Sequence, residues 1–582
     1  MQRSTSSLAV LALSALAAVT GATEPTRTET HPILGEALVI NGEAVSFDEV
    51  KRQIVLGPLG VENLRLARLS VFIDQEIKRQ VDAGADPAKF QVEKEDVDEA
   101  IANAEKQIDE LYEGQDLNLP DLYPTQDKAW LDNVTLTQRF NKVFFPDNPN
   151  DYPAMTVAAL EEGANGGTSL YQHILNDWQM RQDDPSIDPD PVGKAMLAMI
   201  TNQTVIKYLE KSAEIVNDPD ELPQGVAMIV DGVQLKIDDL WEVMKARVTP
   251  TEVETAKRWI VNMKLIEQNL KDSGHWIDDQ TLEERYNAYT EPYKDSPFNI
   301  ETIALRFQKF PTVDAYKDYY RITESMRGRI RSDMRNTVER KNGEDIAKEA
   351  ADKAKRLVSE GNETPVDQLT KELQEEILQD YVDQRWDEQL VRTSATRTSK
   401  LAGDARVQVD VILLSAYDFA RKRWIENGWE EAEKRTKALM TQLENGLSWK
   451  DAVEQFSDFY DAPVPTNQTS ELTLNNKGRF RAIARNDLMK RLEESAFSAF
   501  VYGESLTDAI FFDIPVGDIQ APVRGPYGYY VVKLFSRGGP KRMLDIENPD
   551  HRELIEQDFV ATRLERFVRT LVENNEILGI RG

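Results

Sequence analysis

The apolar and polar positions along the chain change period several times, and those changes predict its elements. Val407-Gln408-Val409-Asp410-Val411-Ile412-Leu413-Leu414 is a β-branched apolar run between polar stretches, the pattern of a buried strand. Ala432, Leu439, Leu443 and Trp449 then fall near helical spacing, with Gly446 where a helix end favours positive φ. A short helix through Ala452 and Phe456, a turn at Lys477-Gly478 and a helix through Leu488, Leu492 and Phe497 follow. Ile519-Gln520-Ala521-Pro522-Val523, a Gly525-Pro526 turn and the run from Tyr529 to Leu534 predict a closing strand pair.

The amino-terminal half carries a pattern that recurs. Ala37 to Val45 reads as an apolar strand, an Asn41-Gly42 turn and a returning strand, with Ser46 capping a helix from Phe47. Ala227 to Leu235 repeats this reading around Asp231-Gly232, about 190 residues later. Downstream, the helical stripe Val71, Phe72, Ile77, Val81 answers to Ile260, Val261, Ile266, Leu270. Val92, Val97 and Ile101 likewise answer to Ile277, Leu282 and Tyr286. One such turn arises easily by chance; a turn followed by two helices in the same order predicts an internal duplication. At the far end Phe559, Val560, Leu564, Phe567, Val568 and Leu571 predict a one-sided helix, followed by Asn575-Glu576-Ile577.

Between these landmarks the sequence is helical and charged. Ser332 to Gln384 reads as a solvated arm, broken at Asn342-Gly343 and Gly361-Asn362. Asp116 to Pro153 and Arg181 to Val192 carry Pro, Asp and Asn clusters and read as loops or insertions.

Composition narrows the chemistry. The chain has 582 residues, no cysteine and a formal net charge of -31. Thiol catalysis and Cys-ligated zinc are excluded, and the charge disfavours nucleic acid as a partner. The four histidines, His31, His173, His275 and His551, lie in separate regions without metal-ligand spacing. The prolines among Asp183, Asp184, Asp188 and Asp190 break calcium-loop geometry. Phosphate loops and G-x-S-x-G elbows are absent, and no cofactor is expected. Met1 to Ala22 has one charge, Arg3, a short apolar core and small residues at its end, the pattern of a secretory signal, with an uncleaved anchor as the alternative. No later stretch approaches the roughly 20 apolar residues of a membrane span.

The carboxyl-terminal stretch resembles the parvulin-type peptidyl-prolyl isomerase domain of SurA- and PpiC-like periplasmic foldases. Val411-Ile412-Leu413-Leu414 is similar to that family's H-I-L-L, and Gln455-Phe456-Ser457-Asp458 to its "EFS.D". Val516 to Val523 is similar to "KGQISAPV", and Gly528 to Leu534 to "GWHIIKL". The resemblance places Val411 and Tyr530 where the family has two facing histidines, so no catalytic residue is assigned. It places the proline pocket, and thus substrate binding, on Leu488, Leu492 and Phe497; the same residues read equally as core. The family's glycine-rich turn has shrunk to Lys477-Gly478, and a segment from Ala499 to Pro515 is extra.

The expected fold is α+β and mostly helical: duplicated N-terminal helical lobes, a parvulin-like domain with a small antiparallel sheet flanked by helices, and a C-terminal helix. The expected division is a signal at 1–22, a linker at 23–36, a SurA-like lobe at 37–222, and a second lobe with the charged arm at 223–403. The parvulin-like domain follows at 404–541 and a helix packing back on the lobes at 542–582. The resemblance implies an exported folding factor that binds unfolded or extended, proline-containing polypeptides, with isomerase activity weak or lost. An active isomerase and a non-catalytic envelope-assembly scaffold remain the alternatives.

Overall fold

A computed structural model describes residues 30–111, 128–162, 168–184, 191–217, 221–245, 248–294, 299–300, 302–402, 405–418, 423–425, 427–459, 478–492, 494–502, 505–525, 527–538 and 544–580. The signal-like segment, the linker up to residue 29, Lys477 and Pro526 lie outside the described residues. The fold is a mostly helical α+β arrangement with small antiparallel sheets.

The chain enters through a short hairpin, β1 (Thr30–His31) and β2 (Gly35–Glu36). His31 therefore does not sit in a linker. Its Nδ1 accepts the backbone N–H groups of Ile33 and Leu34 at 3.2 and 3.1 Å, and its ring packs on Phe47 and Trp241.

A second hairpin, β3 (Val39–Ile40) and β4 (Glu43–Ala44), leads into α1 (Phe47–Val55) and α2 (Pro58–Asp82). Asn41 and Gly42 hold φ of 51° and 83°, as a two-residue turn with both central φ positive requires. Ser46 Oγ accepts from Glu49 N at 3.1 Å and caps α1. Then come α3 (Lys94–Leu111), α4 (Lys128–Phe144), α5 (Ala154–Glu161), α6 (Leu170–Asp183) and α7 (Pro191–Ser212). Helix α4 lies inside a stretch read as loop or insertion. Phe140, Val143 and Phe144 bury its apolar face, which outweighs the Asp, Asn and Pro at its flanks.

After α7, β5 (Ile215–Val216) precedes a third hairpin, β6 (Val226–Val230) and β7 (Val233–Lys236), and then α8 (Ile237–Met244), α9 (Pro250–Asp272) and α10 (Asp279–Thr290). Asp231 and Gly232 repeat the turn, at φ of 47° and 79°. Thr249 and Glu252 close a capping box on α9, with Pro250 in its first turn.

A single π-helical turn at Thr302–Phe307 precedes the arm of α11 (Val313–Ser359) and α12 (Val366–Ala402). Helix α11 has 47 residues, about 70 Å at 1.5 Å per residue. It runs unbroken through Asn342-Gly343, where the sequence predicts a break; only Gly361, at φ 105°, ends it. Val338, Ile346, Ala350 and Ala354 pack against Leu369, Leu373, Ile377 and Val382, so the charged arm has an apolar seam. That seam holds Gly343 in helix at the usual glycine cost of about 1 kcal/mol.

The next unit centres on the strand β8 (Arg406–Ser415). A small ribbon, β9 (Tyr417–Asp418) and β10 (Arg423–Trp424), leads to α13 (Gly428–Glu444) and α14 (Trp449–Phe456). Next come β11 (Arg479–Ala484), α15 (Arg485–Arg491), α16 (Ala496–Tyr502), β12 (Val523–Gly525) and β13 (Gly528–Arg537). These strands form one antiparallel sheet in the order β11-β8-β13-β12.

Helix α17 (Pro549–Asn574) returns to pack on α9, α11 and α12, and β14 (Ile577–Leu578) pairs with β3. The second and third hairpins are thereby completed in the same way. In one, a strand that follows α17 edges β3; in the other, a strand that follows α7 edges β6. The turn residue makes the same contact in both: Asn41 Oδ1 accepts Glu576 N at 3.1 Å, and Asp231 Oδ1 accepts Glu214 N at 2.8 Å.

Candidate functional site

Alternation along β8 and β13 divides their side chains between two faces. Val407, Val409, Val411, Leu413, Tyr530, Val532 and Leu534 share one core, while Ile412, Leu414 and Val531 face α13 and α14. Val411 lies opposite Val532 and Tyr530 opposite Leu413, so Val411 and Tyr530 are diagonal neighbours on paired strands. Both are sealed, at 0% and 2% exposure. Gly478, at φ 81°, brings its chain against β8: its carbonyl accepts Val411 N at 2.9 Å, and a Cβ there would meet Val411 O at 2.1 Å. Asp458, from the motif after α14, accepts Ser415 N at 2.9 Å and two bonds from Arg435, tying the end of β8 to α13.

Leu488 and Leu492 pack into that same sealed core. Phe497 does not join them. Leu492 is the last residue of the α15 turn, and a new helix starts after Ser495, whose Oγ accepts Ser498 N at 3.1 Å. The local signal was in the sequence, a serine just before Ala496-Phe497, but helical spacing across Leu488, Leu492 and Phe497 concealed it. Helix α16 turns away from the sheet and seats on α9. Phe497 lies 5.4 Å from Trp259 and 5.6 Å from Phe310, ring centre to ring centre, and Phe500 lies 5.3 Å from Trp259. Asn262 Nδ2 donates to the carbonyls of Phe500 and Val501 at 2.9 and 3.1 Å, capping the end of α16. The extra segment thus anchors the sheet unit to the helical body, a role that no short motif announced.

Two apolar spaces flank α16. One is a void of about 20 Å³ under the sheet, bordered by Leu492, Tyr530, Val523 and Gly525, where a Cβ on Gly525 would meet the Tyr530 ring at 2.5 Å. It has room for about one water and none for a proline ring. The other is an open cleft of about 820 Å³ at the seam with the helical body. Its walls are the α1–α2 junction, the first half of α9, residues 305–311 and the α15–α16 segment. Phe310 and Trp259 floor it, and Phe497 N donates to Gln308 O at 3.2 Å across the seam. The π-helical turn stands in one wall beside Lys309, a non-glycine residue at φ 61°; both features recur at functional sites. Neither Lys309 nor Trp259 carried a readable signal, since the cleft forms between segments far apart in sequence.

Glu494, Ser498 and Tyr502 border both spaces. Glu494 accepts Leu506 N at 2.6 Å and Thr507 N at 2.8 Å, and burial pushes its carboxyl above the usual range. Burial likewise raises the Tyr502 phenol, whose oxygen lies 3.2 Å from Thr255 Oγ1. Behind it, Arg524 stacks on the Trp429 ring at 4.4 Å and faces Glu254 at 3.6 Å. Among the described residues no group of acidic and histidine side chains could hold a metal ion. No described helix is long and apolar enough to cross a membrane.

No family model matches the chain, and no curated protein matches it. Among solved structures, the similar ones include the peptidylprolyl isomerase PrsA from Bacillus anthracis, 12% identical over 54% of this chain and 95% of that one, with a TM-score of 0.17. PrsA from Bacillus subtilis is 14% identical, covering 59% and 90%, with a TM-score of 0.14. The foldase protein PrsA from Streptococcus pneumoniae is 13% identical, covering 59% and 88%, also at 0.14. Identities and scores at this level leave the family unassigned.

Proposed function

We propose that this chain is an exported folding factor of the SurA/PpiC type, which holds unfolded or extended polypeptides and has a parvulin-like unit whose isomerase activity is weak or lost. The observation that carries the reading is the contrast between the closed floor at Val411 and Tyr530 and the open apolar cleft beside it. Rotation about an X-Pro bond faces a barrier of about 18–20 kcal/mol. Lowering it requires a site that fits the twisted amide better than the planar one. A floor packed with hydrocarbon and phenol admits no proline ring and offers no imidazole. The cleft, by contrast, can accept side chains of a client and release them, since its lining is mostly apolar and open to solvent. Of the three residues the resemblance assigns to substrate, Phe497 borders this cleft, and client contact belongs to it and to Trp259 and Phe310. The two hairpin-and-helix lobes are read as duplicated halves, on the shared turn and edge-strand contacts, and the Met1 to Ala22 segment as the export signal.

Two measurements on the full chain test this. Light scattering of an aggregating unfolded client should fall in its presence; unchanged scattering would overturn the holding role and favour a scaffold for a fixed partner. A protease-coupled assay on a proline peptide should stay at the uncatalysed rate; turnover above it would restore the active isomerase.

A further inference from the structure

The charges around the cleft are unequal in their freedom. Its two wall carboxylates are already engaged: Glu252 accepts Thr249 N at 2.8 Å in the α9 capping box, and Glu494 holds the N–H groups of Leu506 and Thr507. Lys309 and Lys490, both lining the cleft, are exposed and pair with no carboxylate among the described residues. In a chain of net charge -31, these two ammonium groups give the apolar cleft a local positive charge. Lys309 is held there by a left-handed backbone that costs a non-glycine residue about 1–2 kcal/mol. Its neighbours Phe310 and Pro311 fix that backbone against the cleft.

We infer that the cleft selects extended polypeptide segments in which an apolar side chain is flanked by acidic residues. The apolar group rests on Trp259, Phe310 and Phe497, and the flanking carboxylates meet Lys309 and Lys490. The acidic remainder of the surface disfavours clients that carry negative charge elsewhere, so these two lysines give such clients one place to bind. The inference rests on the folding-factor reading and names the client class for it.

The test is fluorescence anisotropy with three labelled peptides that share one Phe-Pro core and differ in flanks, which are Glu, Gln or Lys. The full chain should bind the Glu-flanked peptide about tenfold more tightly than the Gln-flanked one at low salt, the scale of two exposed ion pairs. The preference should shrink with added salt. The double variant Lys309→Glu, Lys490→Glu should prefer the Lys-flanked peptide, and its circular dichroism should match the parent's because both side chains are exposed. Equal affinity for all three peptides, or a Glu preference that survives the double variant, overturns the inference. If aggregation is still suppressed in that case, the folding-factor reading stands and only the client class fails. Self-association of the chain that the double variant abolishes would give the cleft to a second copy, and would equally overturn it.

Discussion

The small void under the β8–β13 sheet and the open cleft at its seam with α9 are lined in part by the same residues, yet their volumes are about 20 and about 820 Å³. Glu494, Ser498 and Tyr502 border both. On one side the chain has filled the space with Leu492, Tyr530 and Val523; on the other a cleft remains above Trp259 and Phe310, which are themselves largely buried. The difference lies in where the helix restarts at Ser495. Had α15 continued, Phe497 would lie over the sheet and the seam would lack its aromatic anchor. A short helix break therefore moves apolar surface from the expected pocket to the junction between sheet unit and helical body.

The largest effect separating the two spaces should come from neighbouring positions on α15. Leu488 is fully buried beneath the sheet, while Lys490 is exposed at the cleft. Leu488→Asp places an unpaired carboxylate in the core and should cost more than about 4 kcal/mol. Chemical denaturation with limited proteolysis should show residues 405–538 becoming sensitive. Lys490→Asp should alter stability by no more than about 0.5 kcal/mol. Comparable losses from both would mean the two spaces are one.

Next in size is the anchor itself. Asn262→Ala removes both bonds to the carbonyls of Phe500 and Val501 and leaves them buried, at about 1–3 kcal/mol. Hydrogen exchange should quicken first in residues 496–502, with the sheet strands still protected. Uniform quickening across β8 and β13 would show that α16 is not a separable tether.

The elements set by local chemistry were readable in advance, and those set by distant contacts were not. Asn41-Gly42 and Asp231-Gly232 announced their turns because few other pairs tolerate two positive φ values. The β8 run announced a buried strand by its β-branched residues, and its partner followed from the same pattern at Tyr529 to Leu534. Helix α4 was hidden by the polar residues around it. The break expected at Asn342-Gly343 ignored the seam that Val338, Ile346, Ala350 and Ala354 make with α12, a contact between two helices that one helix's own sequence does not display. The pocket residues divided: Leu488 and Leu492 stayed with the sheet, and Phe497 left it at a serine cap. The cleft itself is a product of tertiary assembly between residues 53–61, 251–259, 305–311 and 490–502, and no window of sequence contains it.

A smaller effect should come from Glu494, the residue between the two spaces. Burial raises its carboxyl in the folded state above the unfolded value. The folded chain therefore binds that proton more readily, so this group favours folding below the unfolded pKa and loses that contribution as pH rises through the folded one. Glu494→Gln removes the titration and keeps one of the two acceptors, since Leu506 N bonds Oε1 and Thr507 N bonds Oε2, so it carries a pH-independent cost besides. Its melting temperature should gain on the parent's as pH rises from the acidic range towards neutral. A constant difference across that range would assign the raised carboxyl no part in stability.

The smallest expected change is at Lys309, and its sign carries the argument. At φ 61° a lysine costs about 1–2 kcal/mol relative to a right-handed conformation. Glycine removes that strain and adds about 0.5–1 kcal/mol of unfolded-state entropy in return. Lys309→Gly should therefore leave stability unchanged or raise it by up to about 1.5 kcal/mol, read from the urea midpoint. A lysine kept at a position where glycine folds as well or better is there for its ammonium group, and the same variant should weaken binding of the Glu-flanked peptide. A clear loss of stability would instead mean that the Lys309 side chain supports the turn before Phe310, and the wall of the cleft would be a packing feature with no role in choosing clients.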